Sequence, residues 1–211
     1  LNLNIKSHPI EDVVKAYDLY FSIKRAEKIA KYLTEKEISQ NRISLKGYGS
    51  NYPIAKTQAG GEPSKIALKL NSRIEFQITM SKQATVEITV IEPYIIEYLR
   101  DPRCEILKKI EKGLSYRVQI ASVKKMYQNQ VLLIYSDSMI EKGSDTENYR
   151  YTLGLFENHS DARSLVKDLA NYKINGAFIV PYVDGQRIPK ERFIEYAKKY
   201  PDLLNFIQYN E

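Results

Sequence analysis

The stretch FSIKRAEKIAKYL, residues 21–33, decides the first half of the fold. Around it, apolar side chains recur at helical spacing: Val13, Tyr17, Tyr20, Ala26, Ile29, Ala30 and Leu33. Four lysines fall mostly on the other side of this helix: Lys15, Lys24, Lys28 and Lys31. The pattern predicts a long amphipathic helix from about residue 11 onward.

Strands and a second helix accompany this helix. Three segments alternate between apolar and polar residues, as half-buried strands do: residues 1–6, 43–45 and 74–78. The sequence GYG, residues 47–49, ends the second strand, and residues 51–63 are typical of a loop. Ser64 is placed to cap a short helix through Leu70. The resulting order β-α-β-α-β predicts an α/β layer with helices on one face of a sheet.

Residues 81–113 connect this half to the next. Alternation at 86–90 favours a further strand, and Pro93 and Pro102 bracket a possible short helix. The segment is too apolar for a flexible linker, so we expect it to pack on a neighbour.

The second half begins with a strand at Tyr116. Val118 and Ile120 point to one side of it, and Arg117, Gln119 and Ala121 point to the other. Residues 131–135 fit a strand or a buried helix equally well. Residues 149–156 form a strand with Arg150, Thr152 and Gly154 on a single side.

A helix and a closing strand follow in the second half. Ser160 is predicted to cap the helix, whose apolar stripe is formed by Ala162, Leu165, Val166 and Leu169. Residues 177–182 form the closing strand, and residues 184–185 its turn. Pro189 suits the first position of a last helix, which Pro201 interrupts.

The charge of the chain indicates an anionic partner. The 211 residues carry a net charge of +6, with a pI of about 9.1. Residues 1–80 hold 13 Lys and Arg against 8 Asp and Glu, whereas residues 114–188 hold 9 against 8. Nucleic acid, lipid headgroups and a cell-wall polymer all fit such a chain. We set nucleic acid aside, because neither an RNP-type nor a helix-turn-helix signature is present.

The sequence contains few of the residues from which catalytic or metal-binding sites are usually built. The only histidines are His8 and His159, too few for a histidine-rich metal site or an obvious catalytic triad. Cys104 is the single cysteine, which excludes an intrachain disulfide and favours a free buried thiol. No stretch approaches the ~20 apolar residues of a membrane span. We therefore expect no enzyme, no cofactor and no metal.

The helix at residues 21–33, GYG at 47–49 and NSRIEF at 71–76 resemble the OmpA-like domain, a bacterial module that binds the peptide stem of peptidoglycan. In that family an aspartate of a T-D pair and the arginine of L-S-x-x-R-A bind the charged end of a diamino acid. The resemblance transfers the arginine role to Arg25. One anion and one cation near a helix start suit a ligand with both charges.

The other OmpA-like positions depart from the family pattern. Ser7 and His8 fill the T-D pair, and a neutral histidine does not pair with an ammonium group. Either Asp12 takes the acidic role, or the pocket has lost its ordinary ligand. Asn71 and Arg73 match the family's N-R-R-V-E phrase and either contact ligand or anchor the last helix and strand. The family's first strand and helix would precede Leu1, so we expect a fragment of a longer protein.

The sequences YRVQIAS, residues 116–122, and YRYTLGLF, residues 149–156, resemble the SPOR domain. That resemblance implies a four-stranded antiparallel sheet with helices on one face and a bare face that binds peptide-free glycan. The implied contact residues are Arg117, Gln119, Ser122, Arg150 and Thr152. Gln119 is equally compatible with an ordinary exposed strand position.

Together these patterns predict an α/β (α+β) protein of two small domains. The expected units are an OmpA-like domain at 1–80, a packed connector at 81–113, a SPOR-like domain at 114–188 and a helical tail at 189–211. The predicted function is non-catalytic anchoring of a periplasmic, outer-membrane-associated assembly to peptidoglycan, through peptide stem and denuded glycan. N-terminal parts outside this sequence would contact other envelope proteins. The alternative is an interaction scaffold whose peptidoglycan pocket is degenerate.

Overall fold

One mixed sheet of eight strands contains both halves of the chain in the computed structural model, which describes residues 2–8, 15–59, 62–79, 93–143 and 146–210. The strands of this sheet are β1 (Asn2–His8), β2 (Ile43–Gly47), β5 (Arg73–Thr79), β6 (Leu114–Val123), β7 (Met139–Lys142), β8 (Tyr149–Phe156), β9 (Phe178–Val183) and β10 (Gln186–Arg187). Two short strands, β3 (Gln58–Ala59) and β4 (Glu62–Pro63), pair separately. The sheet order is β10-β9-β6-β8-β7-β2-β1-β5.

Seven helices complete the described fold. They are α1 (Lys15–Glu35), α2 (Lys65–Asn71), α3 (Arg103–Glu111), α4 (Val131–Ile134), α5 (His159–Leu169), α6 (Phe193–Ala197) and α7 (Asp202–Asn210). The prediction of a mixed α/β fold is confirmed. Within residues 131–135, which the sequence left open, Val131–Ile134 form a short helix, and Val131 and Leu132 pack into the core.

The first half is a parallel pair with a crossover helix and an antiparallel edge strand. β1 and β2 run parallel, with Leu3 opposite Ile43, and α1 connects them. β5 pairs antiparallel with the other side of β1. Leu19, Ile23 and Ala26 of α1 are fully buried against this sheet, whereas Tyr17, which the sequence placed with the apolar positions of the helix, is 39% exposed. Ser64 caps α2 as predicted, since its Oγ accepts a hydrogen bond from the Ala67 amide.

The second half is a four-stranded antiparallel unit. Its elements follow in the order β6-α4-β7-β8-α5-β9, and its strands lie in the order β9-β6-β8-β7 with every neighbour antiparallel. This is the connectivity of a split β-α-β fold. The buried stripe of α5 lies against this sheet, with Ala162, Leu165 and Leu169 in the core.

The two halves meet through a pair of strands. β2 pairs antiparallel with β7, so that Leu45 lies opposite Lys142, Lys46 opposite Glu141 and Gly47 opposite Ile140. Residues 2–79 and 114–187 therefore contribute to the same sheet. The domain boundaries predicted above stay a prediction, and this pairing shows only that backbone hydrogen bonds cross between the two halves.

Several element boundaries differ from the prediction. The side chain of Asn158, two residues before Ser160, caps α5 by accepting from the Asp161 amide. Pro189 precedes a 3-10 turn, Lys190–Arg192, before α6 begins, and α7 begins directly after Pro201. Between Pro93 and Pro102 the chain forms only a 3-10 turn, Glu97–Leu99. The strand expected at 86–90 lies outside the described residues.

The sheet has two different faces. The helical face is covered by α1, α4 and α5 and holds the main apolar core. The α3 face is the opposite one, where α3, the loop after β2 and strands β7 and β9 contribute to a smaller cluster of Tyr48, Tyr52, Leu107, Met139, Val180 and Tyr182. Alternation along the strands therefore assigns each side chain to one of two covered surfaces.

Candidate functional site

The GYG loop fixes the first turns of α1 against the sheet. A Cβ atom on Gly47 would lie 2.3 Å from Ser22 Oγ and 2.7 Å from the Ile23 amide nitrogen, so only glycine fits there. Gly49 has a φ of +54° and donates its amide to Ser22 Oγ at 3.2 Å. The Ser50 amide donates to Asp18 Oδ2 at 2.6 Å. Sequence reasoning missed Asp18, because a buried acid on a helix gives no periodic signal.

Arg25 lies two turns further along α1 and is half-buried. Its Nη1 donates to the Oγ of Ser72, 3.2 Å away on the residue between α2 and β5. No carboxylate forms an ion pair with Arg25 among the residues that the structure describes. A guanidinium held by a neutral hydroxyl keeps donors available for an anionic ligand.

His8 is buried at the end of β1 and stacks on Tyr48, with ring centroids 5.0 Å apart and planes 6° apart. Neither ring nitrogen has a hydrogen-bond partner among the described residues, and the Glu75 carboxylate lies 3.9 Å from Nε2. Burial lowers the pKa of His8 well below its usual value, and the charges of Arg73, Lys6 and Lys108 lower it further. This agrees with the neutral His8 expected from the sequence, so His8 provides no anion for a ligand's ammonium group.

We expect His8 to make the protein acid-sensitive as the pH falls below 6.5. In the unfolded chain His8 binds a proton as the pH falls through its ordinary pKa of 6.5, whereas the folded protein resists this proton. Stability is therefore lost as the pH falls, with a slope of about 1.4 kcal/mol per pH unit from this residue. Urea unfolding at several pH values measures that slope.

The matched variant for this test is His8→Phe, which keeps a flat ring to stack on Tyr48. Its unfolding free energy should lose that part of the pH dependence and keep the part from His159, whose pKa burial also lowers. An unchanged slope in His8→Phe would mean that His8 is protonated in the folded state.

Asn71 and Arg73 anchor the chain around them. Asn71 is buried, accepts from the amides of Ile54 and Ala55 at 2.8 and 2.9 Å, and donates to the Ala55 carbonyl at 2.6 Å. Arg73 bonds Glu75 Oε1 at 2.7 Å and the Tyr52 carbonyl at 3.1 Å. The anchoring interpretation fits both residues, and their contact with ligand stays a prediction. Asp12, the alternative acid, lies outside the described residues.

The second group of predicted site residues is mostly covered. Arg117, Gln119 and Thr152 do lie on the face opposite the main core, but each is buried. The expectation of a bare polar surface is therefore wrong at these three positions, because residues of α3 pack across the sheet. Arg117 donates instead to the carbonyls of Asp137 and Gly154, both at 2.9 Å.

Two residues of this group remain accessible. Ser122 is exposed, and Arg150 lies opposite it on β8 and is half-buried. Asn148 donates to Ser122 Oγ at 3.3 Å. Their contact with glycan stays a prediction.

A charged network that the sequence did not predict lies on the α3 face. The carboxylate of Glu111 on α3 forms ion pairs with Lys6 at 2.7 Å and Lys46 at 3.9 Å. It also accepts a hydrogen bond from the Tyr48 hydroxyl at 2.7 Å. Burial lowers the pKa of Lys46 to about 8. Burial alone would raise the pKa of Glu111, but Lys46 and Lys6 outweigh it and lower that pKa to about 2.

The network continues beyond Glu111 into the second half of the sheet. Glu141 of β7 accepts from Arg187 of β10 at 2.5 Å and from the Tyr182 hydroxyl of β9 at 2.9 Å. Arg187 also donates to the Gln119 side chain at 2.8 Å. The buried polar layer therefore continues from β1 to β10.

The described residues offer neither a metal site nor an exposed cysteine. No cluster of His, Cys, Asp and Glu within the described ranges could hold a metal ion. Cys104 is buried beside Arg73, and burial raises the pKa of its thiol, which confirms the predicted buried cysteine. Among the described residues, no helix is long and apolar enough to cross a membrane.

Comparison with known proteins finds a similarity in the first half of the chain. The sequence model of the OmpA family matches residues 2–66, which span β1, α1, the GYG loop and the start of α2. These residues are similar to an OmpA-like domain. Such domains generally bind peptidoglycan, are typically non-catalytic and are associated with the cell envelope. No curated protein and no solved structure matched the chain.

Proposed function

We propose that this chain is a non-catalytic peptidoglycan-binding protein that anchors a periplasmic assembly, associated with the outer membrane, to the cell wall. The OmpA-like match over residues 2–66 supports this function. Within that segment, Arg25 is the residue to which we assign the ligand's carboxylate. Parts of the protein outside this sequence would contact the other envelope proteins.

The state of Arg25 is the observation that carries this proposal. The guanidinium is held in place by Ser72 and has no carboxylate partner among the described residues. A carboxylate of the peptide stem would pair with this guanidinium through charge-assisted hydrogen bonds. Ser72 is then a positioning residue, since its hydroxyl orients Arg25 and does not carry charge.

For the second half we propose a SPOR-like fold. Its strand order β9-β6-β8-β7 and its helices α4 and α5 support the likeness. We do not extend the proposal to glycan binding by Arg117, Gln119 and Thr152, because α3 shields them. In this arrangement the second half extends the sheet against which α1, the helix of Arg25, packs.

An interaction scaffold with a degenerate pocket is the second candidate. His8 favours it, because a buried, neutral ring stacked on Tyr48 replaces the family's aspartate. The two candidates differ in one measurable property, which is affinity for the wall itself.

Co-sedimentation with purified sacculi tests the proposal. The wild-type chain should pellet with sacculi at low salt, and Arg25→Ala should bind about tenfold more weakly, because the ligand loses a charge-assisted contact. Added salt should reduce binding, since Arg25 is partly exposed.

Lys167→Ala is the matched control, because it removes one positive charge from an exposed position on α5. It should bind as the wild type does. A wild-type chain that stays in the supernatant at low salt overturns wall binding and leaves the scaffold. Equal losses of sacculus binding in Arg25→Ala and Lys167→Ala would mean that the net charge of the protein, and not a specific contact of Arg25, causes the effect.

A further inference from the structure

The outward side of α1 carries a continuous row of side chains. Tyr17, Phe21, Arg25, Lys28 and Tyr32 are spaced by four, four, three and four residues, which places them along a single side of an α-helix. Tyr17, Phe21 and Tyr32 are 39%, 44% and 58% exposed. This row is called the α1 stripe below.

The aromatic end of the α1 stripe forms a small platform. The rings of Tyr17 and Phe21 lie with centroids 6.3 Å apart and planes 30° apart. Tyr20 supports them from the buried side, since its ring contacts both Phe21 and Tyr149. Adjacent exposed aromatic rings that share a direction mark a contact surface more strongly than a single exposed ring does.

The cationic part of the stripe follows directly. Arg25 lies one turn beyond Phe21, and Lys28 lies one turn beyond Arg25. Neither is ion-paired to any residue in the described part of the chain. Their neighbour Lys24 behaves differently, because it bonds Glu27 and the Tyr149 hydroxyl. The stripe thus combines an apolar ring platform with two available positive charges.

We infer that the α1 stripe binds the sugar as well as the peptide of peptidoglycan, with a sugar ring stacked on Phe21 and Tyr17 while Arg25 and Lys28 hold carboxylates of the attached stem. This inference rests on the proposed function and adds the glycan to its ligand. Charge complementarity argues for this occupant, because the wall polymer joins anionic stems to sugar rings. The apolar face of such a ring suits an aromatic surface, and its hydroxyls remain in water.

Two soluble ligands test the inference, namely a disaccharide–peptide fragment of peptidoglycan and the same stem peptide without sugar. The wild-type chain should bind the sugar-bearing ligand about tenfold more tightly, because one ring is removed from water against Phe21. Phe21→Ala should lose that difference and keep its affinity for the bare peptide. Phe21→Tyr should retain the difference, since its ring still stacks.

Tyr98→Ala is the control, because it removes an exposed aromatic ring from the segment before α3. Arg25→Ala should lower the affinity for both ligands by the same factor. If the wild type binds the bare peptide but sugar adds nothing, or if Phe21→Ala keeps the sugar's advantage, the stripe does not bind glycan and the proposed function still stands. If the wild type binds neither ligand, the proposed function itself fails.

Discussion

Glu111→Gln is expected to destabilise the protein by about 3–5 kcal/mol, the cost of leaving buried charges without their partner. Glu111 is 6% exposed and neutralises both Lys6 and Lys46. The amide keeps the shape of the side chain and removes its charge, so two buried ammonium groups then lie together without an anion between them. Urea unfolding of the wild type and the variant measures the difference.

Two further variants make this prediction specific. Glu105→Gln changes the same residue type on an exposed position of α3 and should cost little. The triple variant Lys6→Met/Lys46→Met/Glu111→Met should recover most of the lost stability, because a buried charged group can be replaced by apolar side chains of similar size. A loss below about 1 kcal/mol in Glu111→Gln would place the network in contact with water.

The same network predicts the pH dependence of stability. The folded pKa of Glu111, about 2, lies below its ordinary value of 4.5, so its contribution is complete above pH 4.5 and is lost as the pH falls toward 2. Lys46 has a folded pKa of about 8 against 10.5 in the unfolded chain. The unfolded state therefore binds more protons between pH 8 and 10.5, and Lys46 makes stability rise with pH in that window.

Local periodicity was sufficient for most of the elements. The helical spacing around residues 21–33 predicted α1, and alternation predicted β1, β2, β5, β6 and β8. The pairing of β2 with β7 could not be predicted, because the partner of a strand is chosen by register and covering helices across about a hundred residues. The single turn of α4 was equally beyond a pattern of five apolar residues.

Burial of the polar strand face was the larger surprise. Alternation correctly set Arg117 and Gln119 opposite the main core, and the usual expectation for such a face is water. Whether another element covers that face depends on where α3 docks, and α3 carries only Leu107 and Cys104 as buried apolar contacts. Arg117 instead bonds backbone carbonyls and Gln119 bonds Arg187, and sequence alternation records neither contact.

The sequence predicted which residue carries the charge of the candidate site better than it predicted how the site residues are arranged. Arg25 was identified from its helix phrase, and the structure adds its Ser72 partner. The resemblance paired Arg25 with position 8 in one pocket, but the two side chains share no hydrogen bond or ring contact. The His8 ring lies on Tyr48 instead. The sequence placed Tyr17 among the apolar positions of the helix and did not include Phe21, but the structure exposes both rings, since exposure depends on the orientation of α1 on the sheet.

Gly47→Ala is expected to destabilise the protein by about 3 kcal/mol, at the upper end for an overpacked position. The added Cβ would lie 2.7 Å from the Ile23 amide nitrogen, and a backbone atom in a helix moves away only if the helix moves. We therefore expect α1 to shift outward from β2. Since Arg25 lies on this helix and bonds Ser72, the residue between α2 and β5, the shift should also weaken sacculus binding.

Gly176→Ala is the matched control, because a Cβ atom there meets nothing within 4 Å. Its unfolding free energy and sacculus binding should stay close to those of the wild type. If Gly47→Ala is as stable as Gly176→Ala, the contact between β2 and α1 is not close-packed. If Gly47→Ala loses stability but keeps full binding at a temperature where it is folded, the position of α1 does not control Arg25. A parallel loss of both properties would tie the GYG loop to the site through the position of one helix.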